Sequence, residues 1–503
     1  MKNKNTDYPL MLISLLLILI VVALLAIFPK SGAATIDSLF TIVTDNLGTL
    51  ILWFGFIVFL YCCYMAFSKH GKIMLGGVGA KPDYTLFQYI AMMICAGLGS
   101  AAVIWSFVEW AFYYAGPAQG IEAKSNAAAE WATGYNMFHW GFTSWAMFVV
   151  LAIPVAYAFH VRKIEALRFS EICIKMMGEE KTYAKPLGRL VDFFFVFCVV
   201  GGLSVTLGLG IPIISSVIGR VFGFEPTFMV NVIVTLCIAT IFTLSSYVGI
   251  DKGMKKLSSI NMYAAIIFVL ALLFTGPTQF ILKEMSTGFG IMIQNFVTMS
   301  LWAEPVGDTG FPEAWTIFFW AFGIVYASLM ALFITKVSRG RSLRQMICSV
   351  IFGGGGGCFV FFGINGSFSM SLQLNGKMDV VTTLFDKGNG PTIIGILENS
   401  VFGIVGIIMF LIIIVLFLAT TLDSAAFSLS ASSTKELKED ENTSPMIRLF
   451  WCVTLTLVPL VMNFIGASLS NLQTLTILTS LPFIIVMICM TKGLFTWLKE
   501  DGN

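Results

Sequence analysis

The stretch "HWGFTSWAMF", His139 to Phe148, places two tryptophans and a phenylalanine close together in an otherwise apolar run. At about 100° per residue, a helix sets Phe148 roughly 80° round from Trp140 and Trp145 roughly 60° further, so the rings share an arc of about 140°. Along the axis they extend about 12 Å, from the outer interface toward the middle of a membrane. Rings so placed can face one cavity. A quaternary ammonium has no proton to donate, so hydrogen bonds do not hold it, whereas desolvated ring faces attract it by about 2 kcal/mol or more each. Ordinary aromatic packing is the competing reading. His139 reads as a polar structural group.

A second ring cluster occupies "EAWTIFFWAFGIVYASLMALF", Glu313 to Phe333. Trp315, Phe318, Phe319, Trp320, Phe322 and Tyr326 cover nearly every helix face, so packing accounts for some and a binding wall for others. The basic end "KVSRGRSLR", Lys336 to Arg344, suits anionic lipid headgroups. In "CAGLGSAAVIW", Cys95 to Trp105, Gly97 and Gly99 each weaken a helix by about 1 kcal/mol and let the backbone open toward substrate or ions. Close helix packing through small residues is the alternative there. "GGGGG", Gly353 to Gly357, lacks the Lys-Ser/Thr of a phosphate loop and reads as a packing or hinge element. Acids at membrane depth are few. Glu109 and Asp423, the latter just after Thr420 and Thr421, are functional candidates because a buried carboxylate is costly. Hydroxyls and freed carbonyls are hard oxygen donors of the kind a small cation such as Na+ prefers.

The elements that position these groups are membrane helices. Of the 503 residues, 57% are hydrophobic and 12% charged, against about 25% charged in soluble proteins. Apolar runs long enough for about 30 Å of hydrocarbon recur about a dozen times, which predicts twelve spans. With the amino terminus inside, 24 of the 30 Lys+Arg fall on the cytoplasmic side, so both ends are expected there. The first apolar run lacks a convincing cleavage site and reads as a retained helix. The 10 cysteines lie almost wholly within the spans without a CxxC pair, which favours small buried hydrophobes over disulfides or a metal site. "STKELKEDENTSP", Ser433 to Pro445, reads as a solvated cytoplasmic loop. Phe280 to Trp302 reads as an amphipathic helix lying in the interface at mid-chain. A channel needs a ring of charged residues along a pore, and none is evident. A membrane enzyme needs a nucleophile with a base or a metal cluster, which histidines at 70, 139 and 160 do not offer. A secondary transporter fits these observations best, with no nucleic-acid partner.

Taken together, "FHWGFTSW", "AWTIFFWA" followed by "SRGRSLR", and "VTLGLG" resemble the betaine/choline/carnitine transporter family over nearly the whole chain. The resemblance implies an all-α polytopic membrane protein of twelve transmembrane helices. Two inverted five-helix repeats, related to the sodium-coupled amino-acid transporters, follow two extra helices. The expected divisions are two amino-terminal helices (1–68), the first repeat (69–278), the interfacial helix (279–303), the second repeat (304–491) and a short tail (492–503). The resemblance also implies a homotrimer in the lipid of a bacterial inner membrane, with no cofactor beyond a coupling ion.

Its substrates are zwitterions or cations bearing a fully substituted nitrogen. Trp140 and Trp145 match the family's substrate-box tryptophans, and Phe148 stands where a tyrosine is usual. Trp320, Phe322, Tyr326, Met330, Gly97 and Gly99 complete the expected site. Gly323 replaces the last box tryptophan, which implies an open wall unless another side chain moves in; a substrate larger than glycine betaine is the expectation. Phe417, Thr420 and Thr421 match ion-site positions of sodium-dependent members, with backbone groups at Ala96 and Leu98 completing the Na+ site. Sodium-independent carnitine exchangers carry an arginine where this chain has Asn261. Met330 coincides with a methionine that those exchangers place near substrate. Sodium-coupled uptake is the expectation, and substrate/product exchange is the alternative.

Overall fold

The structure, a computed structural model, describes residues 5–77, 79–97, 99–464 and 469–502. Polar caps fix where the apolar runs begin, because the first N–H groups of a helix have no partner within it. Asp7 accepts from the Leu10 N–H at the start of α1 (Tyr8–Ile27), and α2 (Pro29–Phe67) follows at once. The third run is broken: α3 (Leu86–Gly97) and α4 (Gly99–Ala115) meet at 72°. Ser125 caps α5 (Asn126–His139), and a turn at Trp140 and Gly141 leads into α6 (Phe142–Val150). Then come α7 (Ala184–Phe222), α8 (Phe228–Val248), α9 (Lys255–Thr275) and the amphipathic α10 (Thr278–Gln294). A π-helical turn at Pro312–Ile317 opens α11 (Phe318–Val337), and a Ser342/Gln345 capping box opens α12 (Leu343–Leu374). The chain closes with α13 (Ile404–Ser432), α14 (Pro445–Phe464) and α15 (Leu469–Glu500).

Among the described residues, nine helices are long and apolar enough to cross a membrane, ten if α3 and α4 form one bent span. The runs expected first and eleventh appear as shorter apolar helices, Tyr8–Val21 and Pro445–Val461, so twelve is reached only if these also cross. Burial sorts the helices into two layers. The apolar windows of Asn126–Val161 and Pro312–Val337 are 94% buried, whereas that of α8 is 22% buried, so the ring-bearing segments are central and α8 is peripheral. At mid-chain Ile281, Glu284, Gly288 and Met292 form the buried stripe of α10, where Gly288 meets Thr133 of α5 too closely for any side chain.

Both chain ends lie on one face. Asp7 pairs with Arg168 and Arg189, and Arg168 also engages the buried Asp192. Arg162 holds Asp501 near the other terminus. The loop from Ser433 to Pro445, expected to be solvated, is instead strapped across this face. Glu439 accepts from His160 Nδ1 at 2.5 Å and from Lys163 Nζ at 2.7 Å, while Lys336 Nζ donates to the Glu439 carbonyl at 2.8 Å. Leu437 is buried, its N–H donating to the Glu165 carbonyl at 2.9 Å.

The His160 hydrogen bond, with Lys163 beside it, holds the Glu439 carboxyl well below the ordinary 4.5, at about 2. A depressed carboxylate stabilises the fold above its ordinary range, and that contribution is lost as pH falls from 4.5 toward 2. Glu439→Gln is therefore expected to destabilise the protein by about 1–3 kcal/mol at neutral pH. Thermal unfolding in detergent should show a gap between variant and wild type that narrows on acidification.

Candidate binding site

The break between α3 and α4 lets other helices touch the backbone. At Gly97 a Cβ would stand 3.3 Å from both Met330 Cε and the Phe148 ring. At Gly99 it would run into the Thr421 hydroxyl and the Phe417 carbonyl, so only glycine permits this approach. Phe148 then starts a chain of rings: Trp145 at 5.4 Å and 67°, Tyr326 at 6.0 Å, and Phe322 stacked on Tyr326 at 4.6 Å. The Tyr326 hydroxyl pairs with Thr206 at 2.5 Å. Trp145 lies flat against Gly354, where any Cβ would fall within its ring, so the five-glycine run is a bed for a tryptophan.

Beside Phe322 a small cavity opens, lined by Trp105, Glu109, Trp140, Thr206, Trp315, Phe319 and Phe322 among others, with about 30 Å³ of free space. Trp140 is stacked on Phe362 at 4.8 Å and meets Phe319 edge-on at 5.2 Å. Its indole N–H donates to Glu109 Oε2 at 2.8 Å. The other carboxylate oxygen, Oε1, lies 2.7 Å from the Tyr113 hydroxyl. Tyr113 is 2.8 Å from His139 Nδ1, and His139 Nε2 is 3.0 Å from Thr316 Oγ1. Glu109 and His139 are fully buried. A carboxyl group is thus fixed at the wall of a desolvated aromatic cavity, a setting that favours a cation with little need for hydrogen bonds.

The expected residues therefore separate into groups. Trp140 and Phe322 line the cavity, while Trp145, Phe148, Tyr326, Met330 and Gly97 pack as a continuous cluster beside it. Trp320 turns away: its ring packs against Phe138 at 5.5 Å and lies so close to Gly55 of α2 that a Cβ there would stand 2.8 Å from Trp320 Cδ1. The open wall expected at Gly323 is also corrected. A Cβ there would meet Met147 Cβ and Cγ at 3.2 Å, so a neighbouring side chain fills the place and the argument for a bulky substrate falls away.

At the candidate cation site, the Thr421 hydroxyl donates to the Cys95 carbonyl at 2.9 Å and to the Phe417 carbonyl at 3.0 Å. Thr420 donates to the Phe417 carbonyl at 2.9 Å and reaches the Cys95 carbonyl at 3.4 Å. This hard-oxygen set suits Na+. Cys95, which the sequence did not single out for this role, supplies the carbonyl; Ala96 beside it is buried, and Leu98 lies outside the described residues. Asn261 places its amide Nδ2 3.9 Å from Cys95 Sγ. Asp423 is tied to Ser245 at 2.5 Å with Arg448 nearby, a structural pairing.

Trp315 and Phe319 belong to the ring cluster for which packing and a binding wall were both open, whereas Trp105 and Thr206 were not expected in the site, although a helical count was there to find some of these residues. Ala101, Trp105 and Glu109 recur every fourth residue, and Trp315, Phe319, Phe322 and Tyr326 follow intervals of four, three and four. Each series makes one stripe. The Tyr113, His139 and Thr316 contacts join three elements and left no such pattern.

A discontinuous helix at the centre, a ring-lined cavity and hard oxygens at the break define a membrane transporter of the inverted-repeat architecture. Residues 9–503 match the family described as BCCT, betaine/carnitine/choline family transporter, and the chain belongs to that family. It is 37% identical to a carnitine transporter of Acinetobacter baumannii, covering 100% of this chain and 91% of that protein. It is 31% identical to the glycine betaine transporter OpuD of Bacillus subtilis (96% and 94% covered) and 29% identical to an ectoine/hydroxyectoine transporter of Virgibacillus pantothenticus (100% and 98%). Among solved structures, a Na+-coupled sialic acid symporter in a substrate-bound outward-open state aligns with a TM-score of 0.50 at 12% identity, covering 88% of this chain and 86% of that one, a likeness of fold alone.

Replacing Gly354 with alanine is expected to push Trp145 out of its bed and disturb Phe148 with it. Intrinsic tryptophan fluorescence should change, and transport should fall at least tenfold; an unchanged spectrum would argue against this packing role.

Proposed function

We propose that the protein is a secondary active transporter of quaternary-ammonium compounds, taking up a betaine- or carnitine-like substrate by alternating access in sodium symport. The observation that carries the substrate class is Trp140, held by the Glu109 carboxyl in a cavity walled, apart from Thr206, by rings and apolar side chains. Ring faces and a carboxylate attract a fully substituted nitrogen, which carries charge without a donor. The carnitine and glycine betaine transporters among its relatives support the same class. In this reading Gly97, Gly99, Trp145, Phe148, Tyr326 and Met330, packed between this cavity and the helix break, contribute to substrate binding.

Sodium coupling rests on the oxygen cluster of Cys95, Phe417, Thr420 and Thr421 and on the neutral Asn261 beside it. Na+ is cargo in this reading. Sodium-independent exchange is the second reading, favoured by Met330 lying against Gly97 and Phe148. The protein sits in a bacterial inner membrane with both termini cytoplasmic, as the lysine and arginine distribution supports. A homotrimer with α10 between protomers, surrounded by lipid, completes the proposal.

Uptake of labelled glycine betaine, carnitine and choline into proteoliposomes, with and without a sodium gradient and with internal substrate, tests it. Symport requires sodium-dependent uptake into empty vesicles; uptake that ignores sodium and needs internal substrate would replace symport by exchange. Trp140→Ala should raise KM about 30-fold, the equivalent of about 2 kcal/mol from one ring face. Thr421→Ala should raise the sodium concentration for half-maximal uptake, and Asn261→Arg should make residual uptake indifferent to sodium. Gly323→Trp alone should abolish transport by colliding with Met147, and adding Met147→Ala should restore part of it.

A further inference from the structure

The hydrogen bonds from Glu109 through Tyr113 and His139 to Thr316 have a property that neither ring packing nor sodium coupling uses. Each interior link can run in either direction. In one polarity Thr316 O–H donates to His139 Nε2, His139 Nδ1–H donates to the Tyr113 oxygen, and Tyr113 O–H donates to Glu109 Oε1, leaving an ionised carboxylate. In the other, a protonated Glu109 donates to Tyr113, Tyr113 donates to His139 Nδ1, and His139 Nε2–H donates to Thr316 Oγ1. The heavy-atom distances of 2.7, 2.8 and 3.0 Å serve both. The two arrangements differ by one proton and by the tautomer of His139.

Which polarity holds depends on what fills the cavity. The titratable groups facing this chain are Tyr113 on α4, Tyr135 and His139 on α5, and Cys358 on α12; from α11 and the turn before it come Thr316 and uncharged rings. Among the described residues no lysine or arginine forms an ion pair with Glu109. An unpaired charge in a buried, desolvated wall is strongly disfavoured, so the empty cavity selects the protonated acid. A quaternary ammonium entering beside Trp140 brings the missing positive charge and selects the carboxylate.

We propose that Glu109 exchanges a proton for the substrate's quaternary nitrogen: the empty site holds H+ on the carboxyl, and the occupied site holds the cation. As the cation arrives, the Glu109 proton passes to the Tyr113 oxygen while the Tyr113 proton passes to His139 Nδ1. The His139 Nε2 proton passes to Thr316 Oγ1 as the Thr316 hydroxyl proton leaves to bulk water, so one proton is released for each substrate bound. Tyr113, His139 and Thr316 are positioning residues that make the exchange reversible without a water in the cavity. The inference rests on the quaternary-ammonium reading of this cavity and adds that affinity is linked to pH.

The test is binding of glycine betaine, carnitine and choline to the purified full chain in detergent, followed by tryptophan fluorescence at a series of pH values. A pH indicator in weak buffer reads proton release in parallel. In the acid range the apparent Kd should fall about tenfold per pH unit as pH rises, then level off, with one proton released per molecule bound on the sloping part. Glu109→Gln should bind more weakly and without pH dependence, and Tyr113→Phe, which leaves the carboxyl in place, should displace the pH profile. A wild-type protein that binds with one affinity at every pH and releases no proton would overturn the exchange while leaving the transport reading intact, and this result needs no variant to fold. If the wild type binds none of the compounds at any pH, the transport reading itself fails and the exchange with it.

Discussion

Inside hydrocarbon a polar atom has no water to turn to, so each must be matched by another atom of the protein. The architecture around the site follows from that constraint. Breaking the third span at Gly97 and Gly99 releases peptide groups from their helical partners, and α13 answers with Thr420 and Thr421, whose hydroxyls reach the Cys95 carbonyl. The same rule binds Glu109 to Trp140 and Tyr113. Glu109, Tyr113, Trp140, Thr420 and Thr421 are each held in a definite place by these bonds. That precision is what a selective ion or substrate site needs, because an incoming charge meets dipoles already oriented toward it.

Close approach is the second condition, and glycine supplies it. Gly99 lets a hydroxyl and a carbonyl from α13 reach the break, Gly97 admits Met330 and Phe148, and Gly354 offers Trp145 a flat surface. The rings join the central helices: Trp145, Phe148, Tyr326 and Phe322 form one continuous series of ring contacts, edge-on, tilted and stacked in turn, linking α6 to α11. In alternating access such a stack can move as a unit, and the break between α3 and α4 offers a place where motion need not bend a regular helix.

Much of this was legible in the residues themselves. Hydropathy placed the spans because apolar length is imposed by the bilayer, and the glycine pair announced the broken helix. The ring types of Trp140 and Phe322 pointed to the cavity that both now line. Side-chain direction was less accessible. Trp320 and Gly323 occupy expected positions along α11, yet Phe138 and Gly55 claim the one and Met147 the other, contacts set by helix packing that no local pattern encodes. The choice between Ala96 and Cys95 for a carbonyl likewise turns on how the backbone bends. His139, read as a structural polar group, bonds Tyr113 and Thr316, partners that lie 26 and 177 residues away in sequence.

The polar segment from Ser433 to Pro445 carries one more consequence. Its composition advertises a free surface loop, the usual choice for an epitope tag, a fluorescent-protein insertion or a protease site. Here Asn5 bonds both sides of Glu436, Leu437 is buried against Glu165, and Glu439 gathers His160 and Lys163. Cargo spliced into it would compete with contacts that join the amino-terminal end of the chain and the His160–Glu165 segment to it. The segment around Val306, whose side chain is 96% exposed, is the more forgiving place to label this protein.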